Sequence, residues 1–579
     1  MKVLLIAFNA KFIHSSLSLR YLKSYCTDYS EQIQLLELTI NQDENTIIKE
    51  IFTQNPTIIG FSCYIWNIGY IKTLIPTIKK VLPNVKIILG GPEVSYSSRD
   101  LLEEFSIDYL VEGEGEETFK QLLDFELSNK ISISEIDGLV YKKDGEIIAN
   151  NCRLPLKMEK LPFVYDDIAD LEHKIIYYEA SRGCPFNCQY CLSSVEKGVR
   201  MLPIERVKQE LQYFLDKKVP QVKFVDRTFN ASKSYAVSIW EYIIANDNNF
   251  TNFHFEIAVE KLDDSMLEVL KGAREGLIQF EIGVQSTHLP TLEAIKRKMP
   301  FEKLEGIITQ IDCLGNIHQH LDLIVGLPYE SYKIFGKSFD DVMSTRPQQL
   351  QLGFLKVLKG SGLYIDAKKY GIVYKDEPPY EVLYTNDITY AEILKLHLIE
   401  DLLEKYYNSG RFRASLEYFF TILFYSTFEF FESFANYWEA KKYDQLSHKK
   451  EAYYFKLLEF GQTLENCDEA LLKELIRWDW LCHENPKNKA DFLITLDQQQ
   501  FKSNIHAKFK DDEWLNSFDT KFVDYTPNQR IRNLHVEHFS YNVKQFGIME
   551  HVPIKVHQAV LFDYSYENKQ PKFYFIDKI

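Results

Sequence analysis

Ser181-Arg182-Gly183-Cys184-Pro185-Phe186-Asn187-Cys188-Gln189-Tyr190-Cys191 places three cysteines at the spacing Cys-x3-Cys-x2-Cys. The 579 residues hold 9 cysteines, an odd number with the other members widely scattered, and such a set is not a disulfide framework. Three thiolates in one loop can hold three irons of a [4Fe–4S] cubane and leave the fourth iron without a protein ligand. That open iron can chelate the amino and carboxylate groups of S-adenosylmethionine (SAM) and pass an electron into its sulfonium. A structural zinc needs a fourth Cys or His at matching spacing. The nearest candidate, His173, sits at the far end of the preceding apolar run.

That run, Ile175–Ala180, reads as a strand. Val222–Val225, His254–Ala258, Gln279–Val284, His320–Val325 and Gln351–Leu358 follow it, with helical patterns between. Six such units predict a partial (β/α)6, TIM-like parallel barrel over residues 173–375.

Upstream, apolar runs again alternate with helical patterns. Val3–Phe8, Ile33–Leu38, Thr57–Ser62, Lys86–Leu89 and Tyr109–Val111 read as strands. Ser16–Tyr25, Asn45–Gln54, Ile68–Val81, Leu101–Phe105 and Gly115–Leu123 read as helices. This predicts an α/β, doubly wound, Rossmann-like domain over 1–130, with ligands at the carboxyl ends of its strands. Residues 131–172 read as a linker with a hairpin around Lys143-Asp144-Gly145. Beyond Pro378-Pro379, residues 376–579 read as a mostly helical domain with a small α/β end from about Asp491. Its helices are expected at Ile388–Tyr407, Ser415–Tyr437 and Ala470–Leu481, the Phe/Tyr-rich stretch being helix core.

The cysteine loop, with the strand ends that follow it in order, resembles the radical SAM superfamily. The resemblance implies that Cys184, Cys188 and Cys191 hold the catalytic [4Fe–4S] cluster and that Tyr190 lies near the adenine of SAM. Phe224-Val225-Asp226-Arg227-Thr228-Phe229 looks like the second-strand motif, with Asp226 kept and Arg227 in place of a second acid. Glu281, Gly283, Gln285 and Ser286 stand where the fifth-strand motif reaches the methionine and ribose. Asp322 and Gly326 stand in the sixth-strand motif that packs on adenine. Glu256 and Glu260 are further candidates.

Three loops of the first domain carry closely spaced glycines: Gly60-Phe61-Ser62-Cys63, Leu89-Gly90-Gly91-Pro92-Glu93 and Val111-Glu112-Gly113-Glu114-Gly115-Glu116. Without a Cβ, such backbone can approach a large ligand closely. Followed directly by the barrel, the set resembles the cobalamin-binding class of radical SAM proteins. It implies cobalamin contacts from Ser62, Cys63, Tyr64, Gly90, Gly91, Pro92, Glu112 and Gly113. The Asp-x-His-x-x-Gly pattern that supplies a histidine to cobalt is absent, the first loop reading Asn9-Ala10-Lys11-Phe12-Ile13-His14. The lower face of the cobalt is then expected to meet water or a non-coordinating side chain from Tyr64–Asn67. His14 reads as a loop histidine.

The resemblance implies a cobalamin-dependent methyltransferase acting on an unactivated carbon. The alternatives are methylthiotransfer or ring rearrangement with a vestigial cobalamin domain, or a non-catalytic cobalamin or redox sensor. Methylthiotransfer needs a second cluster, and only Cys26, Cys63 and Cys152 precede the barrel, widely spread. The substrate is open among a small metabolite, a modified RNA base and a peptide, and a flavodoxin or ferredoxin is the implied electron donor. Lys plus Arg total 67 against 83 Asp plus Glu, a net charge of −16 that argues against broad nucleic-acid binding. Lys296-Arg297-Lys298 reads as a solvated helix face. MKVLLIAFNA reads as a strand rather than a signal peptide, and Tyr418–Tyr425 is too short to span a bilayer. A cytoplasmic protein without a membrane partner is expected.

Overall fold

Val3–Asn9 (β1) is apolar at six of its seven positions and buried throughout, as a central strand covered on both faces must be. The structure, a computed structural model, describes residues 2–96, 98–195, 198–297, 299–484, 505, 507–546, 553–565 and 571–576. The chain divides into two compact units, Met1–Ser338 with Leu352–Ile393, and Phe339–Gln351 with Leu394–Ile579.

In the first unit, β1 pairs in parallel with Ile33–Thr39 (β2) on one side and Ile58–Ser62 (β3) on the other. Lys86–Gly90 (β4) and Tyr109–Val111 (β5) extend the sheet in parallel. Helices Leu17–Tyr25 (α1) and Glu116–Ser128 (α5) cover one face, where Leu5, Leu19 and Phe119 share a core. Glu44–Gln54 (α2), Ile68–Val81 (α3) and Ser98–Glu104 (α4) cover the other, around Ile6, Ile59 and Leu74. The expected doubly wound domain is present. Its strand order 2-1-3-4-5 puts the topological switch between β1 and β3, where such sheets take ligands.

The hairpin expected in the linker continues this sheet. Leu139–Lys143 (β6) pairs antiparallel with β5, and Glu146–Ala149 (β7) with β6. Asp144 and Gly145 have φ of 51° and 85°, the two positive values a two-residue hairpin turn requires.

The second sheet follows. Ile176–Tyr178 (β8), Gln221–Phe224 (β11), Asn252–Ile257 (β12), Ile278–Gln285 (β13), Ile317–Val325 (β14) and Gln349–Phe354 (β15) lie in that spatial order. The pairs from β8 to β14 are parallel. A ribbon that the sequence did not suggest, Ser181–Cys184 (β9) with Gly198–Met201 (β10), intervenes before β11. Phe224, Phe255 and Phe280 point outward and meet Trp240 or one another. The alternate positions, on the inner face, are Tyr177, Lys223, His254, Glu256, Glu281 and His320. A closed barrel fills its interior with apolar layers, whereas this one is lined with polar and titratable groups.

The helix Tyr390–Leu403 begins in the first unit and ends in the second, where Thr427–Ala440, Lys450–Gly461 and Glu469–Leu481 are also helices. The helix expected over Ser415–Tyr437 is interrupted. Phe424 is extended, and Ser426 caps a fresh start by accepting from Glu429 N at 2.9 Å. Phe430, Phe431, Phe434 and Trp438 are buried, so the aromatic stretch is helix core as expected. Leu534–Tyr541, Lys555–Asp563 and Lys572–Ile576 form a three-stranded antiparallel sheet. Asp491 lies outside the described residues. Among the described residues, no helix is long and apolar enough to cross a membrane.

Candidate functional site

Cys184 ends β9, while Cys188 and Cys191 lie in the loop beyond it. The ribbon needs glycine at Gly183: φ is +95°, and a Cβ there would stand 2.1 Å from the Gly198 carbonyl oxygen. Asp226, fully buried just past β11, ties the base of this ribbon. It accepts from Ala180 N at 2.9 Å and Ser181 Oγ at 2.5 Å, while burial pushes its carboxyl up to about 7. Asp226 is thus spent on the chain that leads into the cysteine loop.

None of the three cysteines is paired in a disulfide. Cys184 Sγ lies 3.4 Å from Thr228 Oγ1. Burial pushes the Cys188 thiol up, and the nearby Cys191 and Cys184 add to it, while Arg297 acts in the opposite sense. Among the described residues, no three His, Cys, Asp or Glu groups converge to hold a single metal ion. A cubane asks for no such convergence, since each thiolate takes a different iron. The donor set fits the cluster.

Arg297 corrects the sequence reading. It belongs to no solvated face. Its Nη1 lies 3.4 Å from the Tyr190 hydroxyl, and its Nη2 donates to the Gly283 carbonyl at 2.7 Å. Burial alone would lower the guanidinium, but the facing Tyr190 and Cys188 outweigh it and hold the cation firmly. The turn after Leu289–Ala294, with Lys296 at φ 57°, points this side chain inward. Only the tertiary turn reveals this. Lys298 lies outside the described residues.

The strand-motif residues divide in use. Glu281 accepts from Lys223 Nζ at 2.9 Å and lies 3.0 Å from His254 Nε2. Gln285, at φ 72°, folds its amide over Gly283 and leaves Oε1 buried without a hydrogen-bond partner. Asp322 Oδ1 faces His320 Nε2 at 3.3 Å without hydrogen-bond alignment, and burial pushes its carboxyl well up. These orphaned polar atoms on neighbouring strands fit a polar cofactor such as SAM. Gly326, at φ 87°, packs beneath Val382. Ser286 points elsewhere: its Oγ donates to the buried Glu330 at 2.5 Å.

The cobalamin residues also divide. A cavity of about 220 Å³ opens in the first domain, lined by Leu5, Gly60, Ser62, Tyr64, Gly90, Gly91 and Gly113, with Arg182 at its wall. Ser62 Oγ is buried there without a partner. At Gly91, with φ +115°, a Cβ would stand 2.6 Å from the Cys63 carbonyl oxygen. Five glycines and a largely apolar wall fit part of a large, flat ligand. Cys63 does not line this cavity; its thiol is fully buried in the core beneath α3. Pro92 is exposed, and Glu112 accepts from Ser98 Oγ at 2.5 Å, so neither lines it. His14 Nδ1 sits 2.7 Å from the Tyr177 hydroxyl, committed to the barrel wall.

Three family models match the chain: the B12 binding domain over residues 3–123, the Radical SAM superfamily over 178–342, and a protein of unknown function, DUF4080, over 368–562. The 2-(S-pantetheinyl)-carbapenam-3-carboxylate methyltransferase of Streptantibioticus cattleyicolor is 26% identical over 301 residues, 48% of this chain and 44% of that protein. The cobalamin-dependent radical SAM methyltransferase TokK of Streptomyces tokunonensis is 25% identical over 309 residues, again 48% and 44%. The chain therefore spans less than half the length of these curated relatives. The solved structure of the cobalamin-dependent S-adenosylmethionine radical enzyme OxsB with aqua-cobalamin bound shares the fold at a TM-score of 0.57 and 16% identity, covering 83% of this chain and 79% of that one. The chain therefore carries a B12 binding domain, residues 3–123, ahead of a radical SAM domain, residues 178–342, that bears the Cys-x3-Cys-x2-Cys loop.

Proposed function

We propose that the protein is a cobalamin-dependent radical SAM methyltransferase acting on an unactivated carbon. The observation that carries this reading is one side chain: Arg182 lines the glycine-rich cavity and lies two residues before Cys184. The cavity and the cysteine ribbon therefore share a wall.

Bound here, the cluster with SAM and a methylated corrinoid would supply reductive SAM cleavage and a transferable methyl group. The chain's own residues bind and orient. Cys184, Cys188 and Cys191 would hold the cluster. Arg297 keeps a positive charge beside Cys188 and fixes Tyr190 against Gly283. Glu281, Gln285 and Asp322 would take the polar groups of SAM. Ser62, Tyr64, Gly90, Gly91 and Gly113 would cradle the corrinoid. Tyr64 stacks on Trp66 at 4.5 Å between ring centroids and 5° between planes. Tyr64, which lines the cavity, would present this stacked pair to a cobalamin bound there, and His14 is engaged by Tyr177.

The inner barrel wall narrows the substrate. Lys223 and His254 already face Glu281, but Glu256 adds a further carboxyl to the same wall, and an apolar skeleton pressed there would desolvate polar groups it cannot bond, at about 1–3 kcal/mol each. A polar metabolite, base or peptide group satisfies them. A flavodoxin or ferredoxin would supply electrons. Methylthiotransfer is disfavoured by placement: Cys26 and Cys63 lie in cores on opposite faces of the first sheet, so they cannot share a cluster.

The test is the visible spectrum of protein purified anaerobically from cobalamin-fed cells. A corrinoid spectrum at near-stoichiometric amount supports the reading, and an iron–sulfur shoulder alone defeats it. In parallel, Cys184→Ala should abolish 5′-deoxyadenosine formation under dithionite. Retained formation would remove the cluster assignment.

A further inference from the structure

Arg182 and Arg200 stand directly opposite each other on the β9–β10 ribbon. Like charges in a cross-strand pair oppose strand pairing, yet this ribbon carries Cys184 at its end. The compensation comes from outside the barrel. Glu114, in the loop after β5, meets both arginines: its Oε2 lies 3.5 Å from Arg182 Nη1 and 3.3 Å from Arg200 Nη1, and its Oε1 accepts from Arg200 Nη2. The same carboxylate accepts from Leu156 N at 2.6 Å.

The rest of Arg182 is equally engaged. Nη2 lies 2.6 Å from Glu116 and Nε 2.9 Å from Glu179, and the guanidinium sits over the Tyr21 ring at 5.6 Å. The side chains of Arg182 and Glu114 are only 13% and 15% exposed, so salt screens them little. Glu114, Gly115, Glu116 and Arg182 also line the first-domain cavity. One set of side chains thus serves two structures: it forms part of the cavity wall, and it neutralises the ribbon that bears the first cluster cysteine.

We infer that Glu114 is a positioning residue that couples the first-domain cavity to the cluster: by bridging Arg182 and Arg200 it holds the β9–β10 ribbon, and with it Cys184, against the loop that a cavity ligand touches. The inference rests on the cobalamin reading above. Its consequence is reciprocal. Cobalamin in the cavity changes the affinity for SAM at the cluster, and SAM changes the affinity for cobalamin by the same factor.

The experiment uses the full chain, reconstituted anaerobically with iron and sulfide. Hydroxocobalamin is titrated with and without SAM, SAM is titrated with and without hydroxocobalamin, and the reduced cluster is examined by electron paramagnetic resonance in each state. Wild type is expected to show mutual shifts in Kd of about fivefold or more, with a cobalamin-dependent change in the cluster spectrum. Glu114→Gln is expected to bind both ligands with the shift reduced below about twofold and the spectral change gone. Glu114→Asp, which keeps the charge, restores part of both. Coupling at wild-type strength in Glu114→Gln overturns the inference, as does wild type that binds both ligands with no coupling. Wild type that binds no hydroxocobalamin refutes the cobalamin reading and the inference with it. If Glu114→Gln does not fold, Arg200→Lys carries the same test, weaker coupling supporting the bridge and unchanged coupling refuting it.

Discussion

Arg297 Nη1 lies 3.4 Å from the Tyr190 hydroxyl, so one half-buried cation links the residue before Cys191 to the carbonyl of Gly283 on β13, the fourth barrel strand. Hydrogen bonds from a charged donor are worth about 1.5–3 kcal/mol. Arg297→Met is therefore expected to weaken SAM binding or slow its cleavage by about 10- to 150-fold, with Arg297→Lys recovering part of the loss. SAM titration and 5′-deoxyadenosine release measure it. Wild-type values in Arg297→Met would place this arginine outside the site.

Ser62 predicts an unusual pairing of effects. Its buried hydroxyl has no partner, which is a desolvation cost to the fold of about 1–3 kcal/mol. Valine suits a central strand and adds bulk to the cavity. Ser62→Val is thus expected to be at least as stable as wild type while binding hydroxocobalamin about tenfold or more weakly, a change of about 1.4 kcal/mol. Thermal unfolding and corrinoid absorbance after gel filtration check the two halves separately.

Ser286 donates to Glu330 at 2.5 Å, and Ser338 Oγ donates to the same oxygen at 2.9 Å. Burial pushes the Glu330 carboxyl up to about 7 even against these two bonds. Ser286→Ala should then cost about 1–3 kcal/mol of stability by leaving Glu330 with fewer partners, and should leave the SAM Kd within about threefold of wild type. A large loss of SAM affinity with unchanged stability would show that Ser286 serves the ligand instead.

Glu281 gives a pH dependence. Burial alone would raise its carboxyl, but the facing His254 ring and the Lys223 ammonium, which donates to it at 2.9 Å, outweigh it and bring it to about 2. The unfolded value is about 4.3. The folded value is the lower one, so its contribution to stability is complete above about pH 4.3 and is lost as pH falls toward the folded value. The gap in thermal midpoint between wild type and Glu281→Gln should be widest near pH 6 and shrink by about pH 3. A gap that persists unchanged at acid pH would contradict the ion pair.

Much of this protein was legible from local pattern. Strand and helix periods depend only on neighbouring residues, so β1 to β5, the six barrel strands and their helices stand close to where the alternation put them. The Cys-x3-Cys-x2-Cys loop and the paired glycines were equally plain, because spacing within one turn constrains chemistry without reference to the rest of the chain. What spacing could not reveal is direction. Cys63 and Ser62 are adjacent, and strand alternation sends one into the core and the other to the cavity. Arg297 reads as one member of a basic run, and a left-handed turn at Lys296 aims it at Tyr190. Ser286 and Asp226 sit in recognisable motifs but spend their hydrogen bonds on Glu330, Ala180 and Ser181. Glu114 is one acid among several, 68 residues before Arg182 in the chain, and only folding sets its carboxylate between two arginines. The sequence alone determined which elements form and which chemistry three cysteines support. The tertiary structure decided which side chains face the cofactors, because burial and hydrogen-bond partnership come from residues distant in the chain.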